Sequence, residues 1–75
     1  MDMVDILFHI HPGLSPIERE KLEEDLWKYE GVLSVHFSKD HEHLLTVEYN
    51  PRRISSEELL THVGERGVEA SRIGL

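Results

Sequence analysis

The chain has 75 residues, no cysteine, and 15 acidic side chains against 8 Lys and Arg, for a net charge of −7. This length suits a single domain over residues 1–75, and the lack of thiols excludes disulfides, thiolate metal sites and thiol nucleophiles. The acidic excess argues against nucleic-acid binding, and the short apolar runs argue against a membrane span or a secretory signal, so we expect a cytoplasmic protein.

The first predicted elements are a strand over residues 5–11 and a helix that begins at Ser15. The strand alternates apolar residues of one buried face with residues of an outward face; the buried set is Ile6, Phe8 and Ile10. Pro12 and Gly13 are expected to end this strand. Ser15 and Glu18 form a capping box around Pro16, which suits the first helical position.

The first predicted helix has a buried stripe and an outer side of different character. Leu22, Leu26 and Tyr29 fall on one stripe that should face the sheet, and Gly31 is expected to end the helix. Trp27 lies about 140° from Leu22 around the helix axis, in an acidic surface. It is either an exposed docking anchor or a side chain that folds over its own helix.

Two strands, a second helix and a short last strand follow. The strands are predicted over residues 32–38 and 43–49, with a polar hairpin over 39–42 between them. Ser55 and Glu58 form a second capping box, and Leu59 and Val63 continue the buried stripe. Gly67 suits the turn after this helix, before a strand over 68–73.

The order β-α-β-β-α-β predicts an α+β fold, the ferredoxin-like plait. Right-handed crossovers and the hairpin give an antiparallel sheet ordered 4-1-3-2 with both helices on one face. We call the other sheet face the outer face. The loop after strand 1, the hairpin and the turn at Gly67 then share one end of the domain, the top end.

Three segments resemble the heavy-metal-associated domains of copper chaperones and copper-transporting ATPases: GVLSV at 31–35, VEYNP at 47–51 and GVEA at 67–70. The resemblance implies the same fold and a soft-metal site, a Cys-x-x-Cys motif, where strand 1 meets helix 1. When the family's motif is aligned with this chain by counting back from Gly31 without a gap, its two cysteines correspond to Ser15 and Glu18. The thiolates that select Cu(I) are absent, and a helix cap stands in their place.

Histidine offers a different metal chemistry. His11, His41 and His43 are expected near the top end, with Glu42 or Asp40 as a fourth ligand. Imidazole and carboxylate suit Zn²⁺, Ni²⁺ or Cu²⁺ as a metal cofactor. The alternative is that these are simply solvated histidines.

The outer face mixes apolar and titratable groups. We identify as candidate interaction residues Leu7, His9, His36 and Leu44, together with Trp27. This face could be solvated, as one side of an antiparallel sheet often is, or it could contact a protein partner or a second copy.

No nucleophile and base are paired by the sequence, so we expect a non-enzymatic protein. Two hypotheses stay open. The first is a binding module of the heavy-metal-associated type without its thiolates, which docks with a partner or binds metal weakly through histidine. The second is a regulatory or dimerisation module like the ACT domains, which would use the exposed sheet face.

Overall fold

A computed structural model of the chain describes residues 3–11 and 13–73, so Pro12, predicted to help end the first strand, lies outside the described part. The elements in chain order are β1 (Val4–His11), α1 (Pro16–Trp27), β2 (Val32–Phe37), β3 (Leu44–Tyr49), α2 (Ser56–Glu65) and β4 (Glu69–Ile73). All strand pairs are antiparallel, in the order β2-β3-β1-β4. This is the predicted order read from the other edge, and it confirms the ferredoxin-like fold. Neither helix in the described part is long and apolar enough to cross a bilayer.

The hydrophobic core lies between the inner sheet face and the two helices. Strand alternation supplies Ile6, Phe8 and Ile10 from β1, each 4% exposed or less, as the sequence predicts. The helices contribute Leu22, Leu26, Leu59 and Val63. Burying such side chains stabilises a fold by about 1.5–3 kcal/mol each. Because side chains alternate along a strand, the other residues of β1, Leu7, His9 and His11, lie on the outer face.

Both predicted capping boxes are present. Ser15 Oγ accepts a hydrogen bond from the Glu18 N–H at 3.2 Å, and Glu18 Oε1 accepts one from the Ser15 N–H at 2.9 Å. Ser55 and Glu58 repeat the pattern at the start of α2. The hydrogen bond from the Ser15 backbone is the main reason that the pKa of Glu18 lies below its usual value.

The cap at Ser15 should have a measurable effect on stability. We expect Ser15→Ala to lower the free energy of unfolding by about 0.5–2 kcal/mol, because the Glu18 N–H loses its acceptor. Denaturant titration at neutral pH measures the loss, with Ser71→Ala as the control, because Ser71 is an exposed serine in β4 without a cap role. Equal shifts of the two midpoints would contradict the cap.

The end of α1 differs from the prediction. The helix stops at Trp27, so Tyr29, predicted on the helical stripe, lies beyond it. The Tyr29 N–H donates to the Leu26 carbonyl at 3.2 Å, a three-residue closure that tightens the last turn. The Tyr29 ring, half-buried, instead stacks on the His62 ring with centroids 3.8 Å apart. The chain then reverses at Gly31, whose φ of +99° leads into β2.

Candidate histidine metal site

Three imidazole rings meet near the top end of the sheet. His9 and His11 lie two residues apart on β1, so both rings are on the outer face. His43 directly precedes β3, the neighbouring strand. We call His9, His11 and His43 the histidine cluster.

His9 is the centre of the histidine cluster. Its Nδ1 lies 2.6 Å from Nε2 of His11, and the two rings meet edge to face with centroids 4.0 Å apart. On the other side, the rings of His9 and His43 stack with centroids 5.7 Å apart and planes 22° apart. One of the two nitrogens in the short contact must carry the proton that the other accepts.

The backbone orients the His43 ring. Its Nδ1 lies 3.0 Å from the Ile10 carbonyl oxygen, and a carbonyl can only accept, so Nδ1 carries the proton. In the neutral form of this ring, Nε2 therefore keeps its lone pair. A Cβ at position 13 would lie 3.2 Å from Cε1 of His43, so Gly13 leaves the room that the ring occupies. Metal-binding histidines are commonly fixed by such a second hydrogen bond.

The surroundings also favour neutral His9. Partial burial is the main cause that lowers the pKa of His9 below its ordinary value, and the rings of His11 and His43 add to the effect. His9 is therefore mostly neutral at pH 7. Only a neutral ring nitrogen can donate its lone pair to a cation.

His41 lies beside the histidine cluster, not within it. It is exposed, in the connection between β2 and β3, and it shares an open cavity of about 520 Å³ with six residues: His9, Lys39, Asp40, Glu42, His43 and Leu44. The Glu42 carboxylate lies 3.5 Å from Nη1 of Arg19, which draws it toward α1. Of the three ligands predicted from the sequence, His11 and His43 therefore lie against His9 in the histidine cluster, and His41 lines the cavity beside it.

From the sequence, His9 is expected among the interaction residues, whereas the structure places it between His11 and His43. The signal was the His-x-His spacing on one strand. Within residues 3–11 and 13–73, no group of three His, Asp or Glu side chains is arranged so that it could hold a metal ion without rearrangement. Two ring nitrogens bound to one tetrahedral Zn²⁺ lie about 3.4 Å apart, so His9 and His11 would have to move apart from their 2.6 Å contact.

The position of the family's thiolates does not suit Cu(I). Ser15 and Glu18 are bonded to each other across the start of α1, and their hydroxyl and carboxylate oxygens are hard ligands. The other two histidines lie elsewhere: His36 is exposed on β2, and His62 Nδ1 is 3.1 Å from Glu65 Oε1.

The remaining candidate interaction residues are spread over two faces. Leu7 is 37% exposed and lies between Thr46 of β3 and Ile73 of β4 on the outer face. Leu44 is half-buried on the same face. Trp27, 54% exposed, is on α1, which packs against the inner face.

No protein-family model matches the chain, and a search of curated proteins finds no match either. Solved structures do match. Oxidized MerP from Ralstonia metallidurans CH34 superposes with a TM-score of 0.85 at 14% identity, over 97% of this chain and 100% of that one.

Two further structures match as well. One is the N-terminal domain of a potential copper-translocating P-type ATPase from Bacillus subtilis in the Cu(I)-loaded state. It superposes with a TM-score of 0.82 at 23% identity, over 99% of this chain and 95% of that one. The other is the CopZ metallochaperone, which superposes with a TM-score of 0.81 at 12% identity, over 91% of this chain and 100% of that one. The chain thus has the fold of these three structures, which confirms the fold that the resemblance to heavy-metal-associated domains implies.

Proposed function

We propose that this chain is a non-enzymatic metal-binding module that holds a divalent transition metal, Zn²⁺, Ni²⁺ or Cu²⁺, through His9, His11 and His43. The observation that carries the proposal is the contact of these three rings at one end of the sheet. Imidazole nitrogen suits these ions, whereas nothing at Ser15 and Glu18 suits Cu(I). The structural neighbours described as Cu(I)-loaded or as a metallochaperone support a metal role for the fold.

Each ring has a defined part in the proposed site. His43 offers Nε2, because its Nδ1 is hydrogen-bonded to the Ile10 carbonyl. His9 offers Nδ1 and His11 offers Nε2, the two nitrogens that otherwise share a proton. For both nitrogens to hold a metal, the rings would have to move apart and the donating ring would carry its proton on its other nitrogen. His41, exposed beside the same cavity, is a candidate for the fourth ligand of a tetrahedral site.

This location changes how a partner would reach the metal. In the heavy-metal-associated pattern, the ion is bound where strand 1 meets helix 1. Here the histidine cluster lies on β1 and before β3, beside the outer face of the sheet. A protein that gives or takes the metal would therefore approach this face, where Leu7 and Leu44 flank His9 on β1 and β3.

Self-association through the outer face is the second candidate. Leu7 lies directly opposite Ile73, and both are over a third exposed, so they form a small apolar pair between β1 and β4. Leu44 lies farther along the same face, which also carries polar side chains; for example, Ser34 Oγ donates to Glu48 Oε1 at 2.7 Å. Stable dimers usually bury about 800 Å² of surface on each partner, which is far more than one pair of side chains supplies. The metal site is therefore the better supported of the two candidate functions.

A Zn²⁺ titration by calorimetry tests the metal proposal. We expect His9→Ala to weaken Zn²⁺ affinity by about tenfold or more, because it removes the central ligand, and even outer-shell partners of ligands contribute 10–100-fold. The control is His36→Ala, which removes an exposed outer-face histidine away from the histidine cluster. Wild-type protein without Zn²⁺ affinity, or an equal loss in both variants, would refute the proposal.

A further inference from the structure

A groove beside the only tryptophan of the chain is unrelated to the histidine cluster. It lies between α1 and β2, has a volume of about 440 Å³, and is lined by Glu20, Glu23, Glu24, Trp27, Lys28 and Val35. We call it the Trp27 groove. Because α1 packs on the inner face, this groove and the outer face are on opposite sides of the sheet. The Trp27 residue is 54% exposed, which is unusual for so large an apolar side chain.

The charge of the Trp27 groove is strongly one-sided. Three glutamates line it, and within the described residues neither Glu20 nor Glu24 takes part in an ion pair. The one lining cation, Lys28, has its Nζ 3.7 Å from an oxygen of Asp25, so it is drawn toward another acid. The groove therefore combines an exposed aromatic ring with uncompensated negative charge.

The wall of the groove is held in place by the fold. Glu23 Oε2 accepts a hydrogen bond from the Phe37 N–H at 2.9 Å, which ties α1 to the free edge of β2. This bond uses an N–H that a further strand would need, so strand addition along β2 is disfavoured at that point. A ligand of this region would accordingly contact side chains, with Trp27 at its centre.

We propose that the Trp27 groove binds an arginine-bearing basic segment of a partner protein. A guanidinium group stacks on an indole ring more readily than an ammonium does, and it forms paired hydrogen bonds with carboxylates. Trp27 supplies the ring, and Glu20 and Glu24 supply the carboxylates on the same side of α1. Acidic peptides, nucleic acids and anionic membranes are repelled by the same charges.

Fluorescence of the single tryptophan tests this directly. The probe is a short synthetic peptide of Arg and Gly around one Leu, and the comparison peptide carries Glu in place of Arg. We expect saturable changes in Trp27 emission with the Arg peptide, weakening as salt is added, and none with the Glu peptide. No change with the Arg peptide up to about 1 mM, the range of very weak binding, would overturn the proposal, as would equal binding of both peptides.

Paired charge variants separate the groove from the general acidity of the chain. Glu20→Gln with Glu24→Gln should lower the affinity for the Arg peptide by about fivefold to tenfold, the effect expected for the loss of two exposed ion pairs. The matched control, Glu57→Gln with Glu69→Gln, removes two exposed acids from α2 and β4. We expect less than a twofold change in the control. Equal weakening in both double variants would show non-specific attraction and overturn the site.

Discussion

Replacing Gly31 by alanine should destabilise the domain by about 2–5 kcal/mol, a large part of the stability of a chain this short. Gly31 has φ +99°, a conformation that costs an L-residue energy at any site. An added Cβ would also lie 2.5 Å from Cβ of Arg53 and 3.2 Å from Cγ2 of Ile54. Since Arg53 Cβ is attached directly to the backbone, the connection after β3 would have to move. Thermal or denaturant unfolding measures the loss.

Gly67 provides a matched comparison. It also has positive φ, +78°, but an added Cβ would have no heavy atom within 4 Å. We therefore expect Gly67→Ala to cost only the conformational strain, about 1–2 kcal/mol. If both alanine variants lost the same stability, the close approach of Arg53 to Gly31 would not be the cause.

Placing two cysteines at the start of α1 should create a Cu(I) site in a chain that has none there. The variant is Ser15→Cys with Glu18→Cys, because each of these side chains already accepts a hydrogen bond from the other residue's backbone N–H across the first turn. Thiolates gain from the free N–H groups and the positive end of a helix, and Cu(I) prefers them to oxygen ligands. We expect the double variant to retain one Cu(I) ion per chain against a colorimetric chelator that strips the wild type.

The single variant Ser15→Cys is the control for this gain. It supplies one thiolate at the same place, so it should compete with the chelator much less well than the pair. The double variant also loses the capping box, which should cost about 0.5–2 kcal/mol and is checked by the unfolding midpoint. A double variant that retains no more Cu(I) than the wild type would show that the family's motif does not align with Ser15 and Glu18.

The fold could be predicted because its signals are local. Alternation in β1 identified Ile6, Phe8 and Ile10 as core residues, and the capping boxes located the start of each helix within a residue. The end of α1 could not be predicted in the same way. Tyr29 continues the helical stripe in sequence, but its stacking on His62 depends on the packing of α2 beside α1.

The candidate site was only partly predictable for a similar reason. The spacing of His9 and His11 shows that they share a face, but not that their nitrogens meet. His43 was predicted inside strand 3, whereas β3 begins at Leu44, whose N–H donates to the His41 carbonyl at 2.9 Å. That turn, together with the space left at Gly13, directs the ring of His43 toward His9. Such contacts depend on three separate segments of the chain.

We propose that a divalent metal binds at the histidine cluster and not at the start of α1. Ring-selective NMR of the six histidines during a Zn²⁺ titration tests it most directly. We expect the signals of His9, His11 and His43 to shift together and to saturate together. The signals of His36 and His62, and the amide signals of Ser15 and Glu18, should stay in place. Six histidines that ignore Zn²⁺, or shifts centred on Ser15 and Glu18, would contradict the claim.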